Sequence, residues 1–253
     1  VQSDSLFVWD HEGHSLPPFP VAVVGRMKYS AVLGDVSGDS RLEICFYTDS
    51  TEYLNVVTAN GSLLWQRNFG LADVEASPII ANVAGGPRPE IVCGNNLGLA
   101  VYDSLGNLLP EFPLYGMEHN WKLPISADLD ADSVPDIACG SSAWAIYAHH
   151  SDGSAVKGFP ILMGNSVECS PAVADLDQDG KLELMSGDNG FQFLVFDLNS
   201  EVVEWPKFRY DQYNTGCYHS GNWHGIRTGY TRRAQSVFLL QAAPNPFKDR
   251  LLI

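Results

Sequence analysis

Three observations predict an all-β fold, a β-propeller of four-stranded antiparallel blades. Acidic loops recur at a nearly constant spacing, short apolar and aromatic runs flank each loop, and no segment keeps apolar residues at helical spacing over two turns. Four short strands in every 40 to 50 residues, roughly, are typical of a propeller blade. A solenoid of helices is the competing architecture for this period, and the missing helical pattern disfavours it.

The spacing of the acidic loops defines the repeat. The loops begin 47, 46 and 47 residues apart, at Asp35, Asn82, Asp128 and Asp175. An aromatic residue followed by proline keeps the same phase at Phe19-Pro20, Phe112-Pro113, Phe159-Pro160 and Trp205-Pro206. Turn glycines form a third marker in phase with these two, at Gly13, Gly61, Gly106 and Gly153. Three markers in one phase predict a structural repeat.

The repeat divides the chain into blades. We expect a propeller over residues 1–218, with a partial blade at 1–24 and complete blades at about 25–70, 71–117, 118–164 and 165–212. Residues 201–207 should form the fourth strand of the last blade. We expect a linker at 219–240 and the start of a truncated β-sandwich at 241–253. The chain begins at Val1 without a signal-peptide pattern, so we expect a fragment of a longer protein.

Composition narrows the possible functions. The net charge of -15 would repel nucleic acid, and no apolar run approaches the roughly 20 residues that a membrane-spanning helix needs. We find no nucleophile elbow, phosphate loop, zinc motif or dinucleotide fingerprint, which favours a non-catalytic role for this chain. We interpret His149 and His150, at the end of a predicted strand, as surface residues.

The acidic loop at residues 175–183, here loop 4, has the strongest metal-binding pattern. Carboxylates stand at its positions 1, 3, 5 and 9, and Gly180 permits the tight turn. Calcium takes six to eight oxygen ligands, including main-chain carbonyls such as the one at position 7. The predicted ligands are Asp175, Asp177, Asp179, Glu183 and the carbonyl of Lys181.

The three other loops follow this pattern to different degrees. Loop 3, residues 128–136, keeps every carboxylate: Asp128, Asp130, Asp132 and Asp136, with the carbonyl of Val134. Loop 1, residues 35–43, is predicted to be weaker because Ser37 replaces one carboxylate; its other ligands are Asp35, Asp39, Glu43 and the carbonyl of Arg41. Loop 2, residues 82–90, has Gly86 and Pro87 at positions 5 and 6, and we expect it to be metal-free. Solvated hairpin turns are the alternative interpretation of all four loops.

The loops and their period resemble the FG-GAP or VCBS propeller repeats of integrin α-subunit heads and many secreted bacterial proteins, over about residues 6–218. This resemblance implies calcium and a location outside or on the surface of a bacterium. Extracellular calcium modules bind at about 10⁻⁴ to 10⁻³ M and would be empty in cytosol. Residues 243–247 resemble the opening of a type IX secretion sorting domain, which implies the secretion machinery as a partner. A turn before an ordinary strand is the alternative.

We therefore expect a non-catalytic calcium-binding module for adhesion, binding or scaffolding, with an extracellular protein or carbohydrate as its ligand. The alternative is an accessory propeller of a secreted hydrolase, peptidase or polysaccharide lyase. A speculative ligand site comprises residues expected at one mouth of the propeller channel: Glu75, His119, Trp121 and Glu168. A solvated strand entrance explains the same residues.

Overall fold

The computed structural model describes residues 5–10, 12–48, 53–68, 76–94, 98–115, 123–211 and 214–218. These residues form 18 strands in five sheets, all within a compact unit that runs from Val1 to Asn222. The described residues contain no helix, and therefore no helix that could cross a membrane. The predicted all-β class is confirmed.

The five sheets follow one another along the chain. Sheet 1 pairs β1 (Ser5–Leu6) with β2 (Val21–Ala22), and sheet 2 contains β3 (Met27–Gly34), β4 (Glu43–Thr48), β5 (Tyr53–Val57) and β6 (Leu63–Asn68). Sheet 3 contains β7 (Ile79–Ala81), β8 (Glu90–Gly94), β9 (Gly98–Tyr102) and β10 (Leu114–Tyr115). Sheet 4 contains β11 (Ile125–Ala127), β12 (Asp136–Ser141), β13 (Ala145–His149), β14 (Ile161–Leu162) and the late strand β18 (Val203–Trp205). Sheet 5 contains β15 (Ala172–Ala174), β16 (Glu183–Gly187) and β17 (Phe193–Asp197).

Antiparallel pairing and burial place the acidic loops at equivalent positions. In sheets 2 to 5 each loop connects the first two strands, which pair with each other directly. The second and third strands of sheet 3 are buried along their whole length, which explains why Glu90 is the one charged residue in them. Buried clusters join sheet 1 to sheet 2, sheets 2 to 4 to one another, and sheet 4 to sheet 5. Consecutive sheets therefore pack face to face.

The last strand corrects one prediction. We predicted that residues 201–207 form the outer strand of the last blade, whereas β18 pairs with β11, the first strand of sheet 4, with Ser126 opposite Trp205. The side chain of Trp205 accounts for this choice, because only 1% of it is exposed and it packs in the cluster of sheets 2 to 4. Its ring lies 5.0 Å from that of Tyr210. Burying a large aromatic side chain is among the most stabilising contacts available to a single residue.

The chain around β18 crosses the starts of several sheets. This crossing segment comprises residues 200–211 and 214–218. Three of its carbonyls accept backbone hydrogen bonds. The carbonyl of Ser200 accepts the N–H of Leu182 at 2.9 Å, that of Val202 accepts the N–H of Asp128 at 3.0 Å, and that of Gly216 accepts the N–H of Leu33 at 2.7 Å. The segment therefore holds backbone in or beside loops 1, 3 and 4.

Candidate metal centres

The carboxylate at position 9 closes all four acidic loops. Each of these side chains is almost fully buried and accepts a hydrogen bond from the backbone N–H at position 2. The pairs are Glu43 with Val36 (2.8 Å), Glu90 with Val83 (3.0 Å), Asp136 with Leu129 (2.9 Å) and Glu183 with Leu176 (2.6 Å). Loop 2 shares this bond although it lacks the other carboxylates. The position 9 acid therefore supports the loop backbone whether or not a cation is bound.

Loop 4 gathers three carboxylates. One oxygen from each of Asp175, Asp177 and Glu183 lies within 4.8 Å of the others. Asp175 Oδ2 accepts from the N–H of Gly180 at 3.2 Å, but its Oδ1 is buried and has no hydrogen-bond partner in the described part of the chain. A buried carboxylate oxygen without a donor is costly unless a cation neutralises it. These residues therefore fit a divalent cation.

The other predicted ligands of loop 4 are not part of this group of three. Asp179 Oδ1 accepts the backbone N–H of Lys181 at 2.8 Å, which is an ordinary turn contact. Gly180 has a φ of 92°, in the left-handed region that the tight turn requires. The carbonyl of Lys181 stays a predicted ligand, as do those of Arg41 and Val134 in the equivalent loops.

Loop 3 also gathers three carboxylates, from Asp128, Asp130 and Asp136. Asp128 accepts the backbone N–H groups at positions 4, 5 and 6 at 2.8, 3.2 and 3.0 Å. It also accepts the hydroxyl of Ser200 in the crossing segment at 2.8 Å. Burial raises the pKa of Asp136 to about 6, because a charged carboxylate loses its hydration there. Ser133 replaces the glycine of loop 4 and adopts the left-handed turn with a φ of 71°.

His150 is the residue that the sequence interpretation missed. Its Nδ1 lies 2.7 Å from Asp136 Oδ1 and its Nε2 lies 3.8 Å from Asp130 Oδ2. His150 was interpreted only as a surface residue; a quarter of its side chain is exposed, and it also lies against two carboxylates of loop 3. The register of the β12–β13 hairpin explains the contact. Ile137 pairs with His149, so Asp136, which precedes Ile137, lies opposite His150, which follows His149. The residue opposite position 9 is the signal that could have found it.

Loop 1 does not gather its carboxylates. Asp35 accepts backbone N–H groups from Gly38, Asp39 and Ser40 at 2.7 to 3.1 Å. The hydroxyl of Ser37 donates to Glu43 Oε1 at 3.2 Å, and burial raises the pKa of Glu43. No group of three candidate ligand side chains forms in loop 1 or loop 2, both of which the structure describes in full. The calcium site of loop 1 stays a prediction.

The speculative ligand site can be placed only in part. Glu168 is exposed and accepts a hydrogen bond from the hydroxyl of Ser166. Glu75, His119 and Trp121 lie outside the described residues, as do the predicted linker and the predicted sorting segment.

Known proteins support a propeller-like class for this fold. The structure of BBS1N in complex with ARL6DN is similar in two forms: the mercury-soaked form has a TM-score of 0.53 at 13% identity, covering 81% of this chain and 61% of that chain. The lead-soaked form gives 0.52 at 11% identity, with 80% and 60% covered. The V. cholerae biofilm matrix protein Bap1 matches at a TM-score of 0.40 and 16% identity, with 68% and 36% covered. The chain thus spans less than two thirds of each of these chains.

Within this class, the chain carries an FG-GAP-like repeat. The match covers residues 128–186, which include all of loop 3 and loop 4. No curated protein matches the chain. The repeat and the propeller-like neighbours together support an FG-GAP β-propeller.

Proposed function

We propose that this chain is a non-catalytic calcium-binding β-propeller that acts as a binding, adhesion or scaffold module outside a bacterial cell. The observation that carries the proposal is the group formed by Asp175, Asp177 and Glu183, with one buried carboxylate oxygen that has no donor among the residues that the structure describes. Calcium is the cation of choice because every ligand in this group is an oxygen and the loop is irregular. Magnesium would require near-ideal octahedral geometry.

Electrostatics supports a role for the ion in folding. Three carboxylates with oxygens within 4.8 Å of one another repel unless a cation lies among them. Loop 4 connects β15 to β16, so a bound ion would hold the end of one strand against the start of the next. Calcium binding and folding of this part of the chain should therefore be coupled.

The extracellular location is part of the same proposal. Calcium modules of this kind fill at about 10⁻⁴ to 10⁻³ M, which matches the calcium outside cells better than that in cytosol. In this proposal, residues 241–253 engage a type IX secretion system, and the module binds an extracellular protein or carbohydrate. The resemblance of residues 243–247 to a sorting domain supports the export route.

Thermal unfolding of the full chain with calcium, magnesium or a chelator tests the proposal. Calcium should raise the melting temperature, magnesium should raise it less, and Asp177→Asn should remove the part of the shift that loop 4 supplies. Asp152→Asn is a matched control, because each of these aspartates accepts the backbone N–H two residues ahead in an exposed turn. Identical melting curves in calcium and in chelator would refute the metal assignment.

A further inference from the structure

Loop 3 carries a second group of ligands that contains nitrogen. His150, Asp130 and Asp132 each place one ligand atom within 4.8 Å of the other two. The Nε2 of His150 and Oδ2 of Asp130 are 3.8 Å apart. This distance is too long for a hydrogen bond. It exceeds by about 0.4 Å the separation of roughly 3.4 Å between two tetrahedral ligands that each lie about 2.1 Å from one ion, so a small side-chain movement would bring both atoms into contact with it.

A buried carboxylate lies beside the other nitrogen of the histidine ring. Its Nδ1 lies 2.7 Å from Oδ1 of Asp136, a carboxylate with no exposed surface that is anchored through Oδ2 by the N–H of Leu129. Histidines that bind metals usually direct their second nitrogen at a carboxylate or carbonyl, which fixes the ring and leaves the first nitrogen available. Asp136 is thus a buried acid beside Nδ1 of the ring, and Nε2 lies on the side of Asp130.

The ligand types decide the class of metal. Calcium and magnesium take oxygen ligands, whereas an imidazole nitrogen combined with carboxylates suits zinc and related first-row dications. We propose that loop 3 binds a transition-metal dication such as Zn²⁺ through Asp130, Asp132 and Nε2 of His150. The remaining coordination positions would be open to water or to a group from a partner.

The corresponding positions of the other loops show that this feature belongs to loop 3. In sheet 5 the residue opposite position 9 is Asp197, which pairs with Glu183 and adds an oxygen instead of a nitrogen. By the same hairpin register, the residue opposite position 9 is Thr58 in sheet 2 and Asp103 in sheet 3. Among the four described loops, nitrogen is available only beside loop 3.

Asp130 belongs to both ligand groups of loop 3, the oxygen group with Asp128 and Asp136 and the group with Asp132 and His150. The two groups can bind separate ions at the same time only if the Asp130 carboxylate bridges the ions. Zinc should therefore compete with calcium at loop 3 and leave calcium at loop 4 in place. This proposal does not depend on the calcium assignment of loop 4, because it uses none of the residues of that loop.

Isothermal titration of the full chain with Zn²⁺ in saturating calcium tests the proposal. Wild type should show one zinc site that is at least tenfold tighter than its remaining zinc binding. His150→Asn should weaken that site at least tenfold. His149→Asn is the neighbouring control, since its ring contacts the carbonyl of Gly153 instead of a carboxylate. His14→Asn controls for the exposed group of Asp10, Glu12 and His14, which could supply weak background binding.

A second variant keeps the test decisive if His150→Asn disturbs folding. Asp132→Asn retains the side-chain oxygen that accepts the N–H of Val134 at 2.7 Å, so the turn should persist while zinc affinity falls. Cobalt provides a spectroscopic check, because its visible absorption should appear in wild type and in His149→Asn and be lost in Asp132→Asn. Unchanged zinc affinity in both His150→Asn and Asp132→Asn would overturn the proposal, and so would complete displacement of zinc by calcium.

Discussion

Loop 2 and loop 4 connect equivalent strands of two repeats, yet only loop 4 gathers carboxylates. Both are closed by a buried glutamate at position 9 that accepts a backbone hydrogen bond. At position 1, each loop has a buried side-chain oxygen without a hydrogen-bond partner among the described residues. In loop 2 it is the neutral amide oxygen of Asn82, whose NH₂ group donates to the carbonyl of Gly86 at 3.0 Å, whereas in loop 4 it belongs to the carboxylate of Asp175, beside two other carboxylates. The difference teaches that position 9 maintains the turn and that positions 1 and 3 determine whether the loop needs an ion.

The largest effect should come from removing position 1 of loop 4. Asp175→Ala should lose the calcium-dependent stabilisation of that loop, about 2.7 kcal/mol when calcium is a hundredfold above its dissociation constant. Asn82→Ala is the matched change in loop 2, and it should lower the free energy of unfolding by the same amount in calcium and in chelator. Guanidinium unfolding of both variants in the two conditions measures the contrast. A calcium-dependent cost for Asn82→Ala would contradict it.

A smaller loss of stability, common to both loops, should follow from replacing the glutamate at position 9. In chelator, Glu90→Ala and Glu183→Ala should each lower the free energy of unfolding by about 1 to 2 kcal/mol, because each change leaves the backbone N–H at position 2 without its carboxylate acceptor. Glu201→Ala is the control, since that side chain is exposed in the crossing segment. If Glu90→Ala were neutral by the same unfolding assay, position 9 would have no metal-independent role.

The smallest effect should be a gain of binding in loop 2. Asn82→Asp combined with Ala84→Asp recreates positions 1, 3 and 9 of loop 4 next to Glu90. The new site should be weak, because the Glu204 carboxylate already lies 3.2 Å from the backbone nitrogen of Asn82 and adds repulsion. Calcium at ten times the new dissociation constant would add about 1.4 kcal/mol of stability. Asn82→Asp alone, with two carboxylates, should add less; an equal response would show that position 3 is dispensable.

The sequence predicted the features that depend on local pattern. The positions of the acidic loops and the β content follow from turn residues, carboxylate spacing and short apolar runs, all of which lie within one repeat. Gly180 and Ser133 adopt the left-handed turn that the loop pattern required. Alternation along the loop predicted that Asp175, Asp177 and Asp179 face the same side; Asp175 and Asp177 do come together with Glu183, but Asp179 is outside this group.

The features that depend on contacts between distant segments could not be predicted in this way. His150 reaches loop 3 only through the register of the β12–β13 hairpin, which brings it opposite Asp136. The strand β18 pairs with β11 because Trp205 is buried between sheets, although its repeat phase assigned it to the edge of sheet 5. The spacing predicted a metal ligand at position 9, but it did not indicate that this carboxylate also accepts a backbone hydrogen bond within the loop.

A crystal structure from crystals grown in calcium, with anomalous difference maps, tests most directly the central claim that loop 4 binds calcium and loop 2 does not. The account predicts an ion at about 2.3 to 2.6 Å from oxygens of Asp175, Asp177 and Glu183, and no ion in loop 2 of the same molecule. A loop 4 without an ion at saturating calcium, in which Asp175 Oδ1 is hydrogen-bonded to a protein donor, would contradict it.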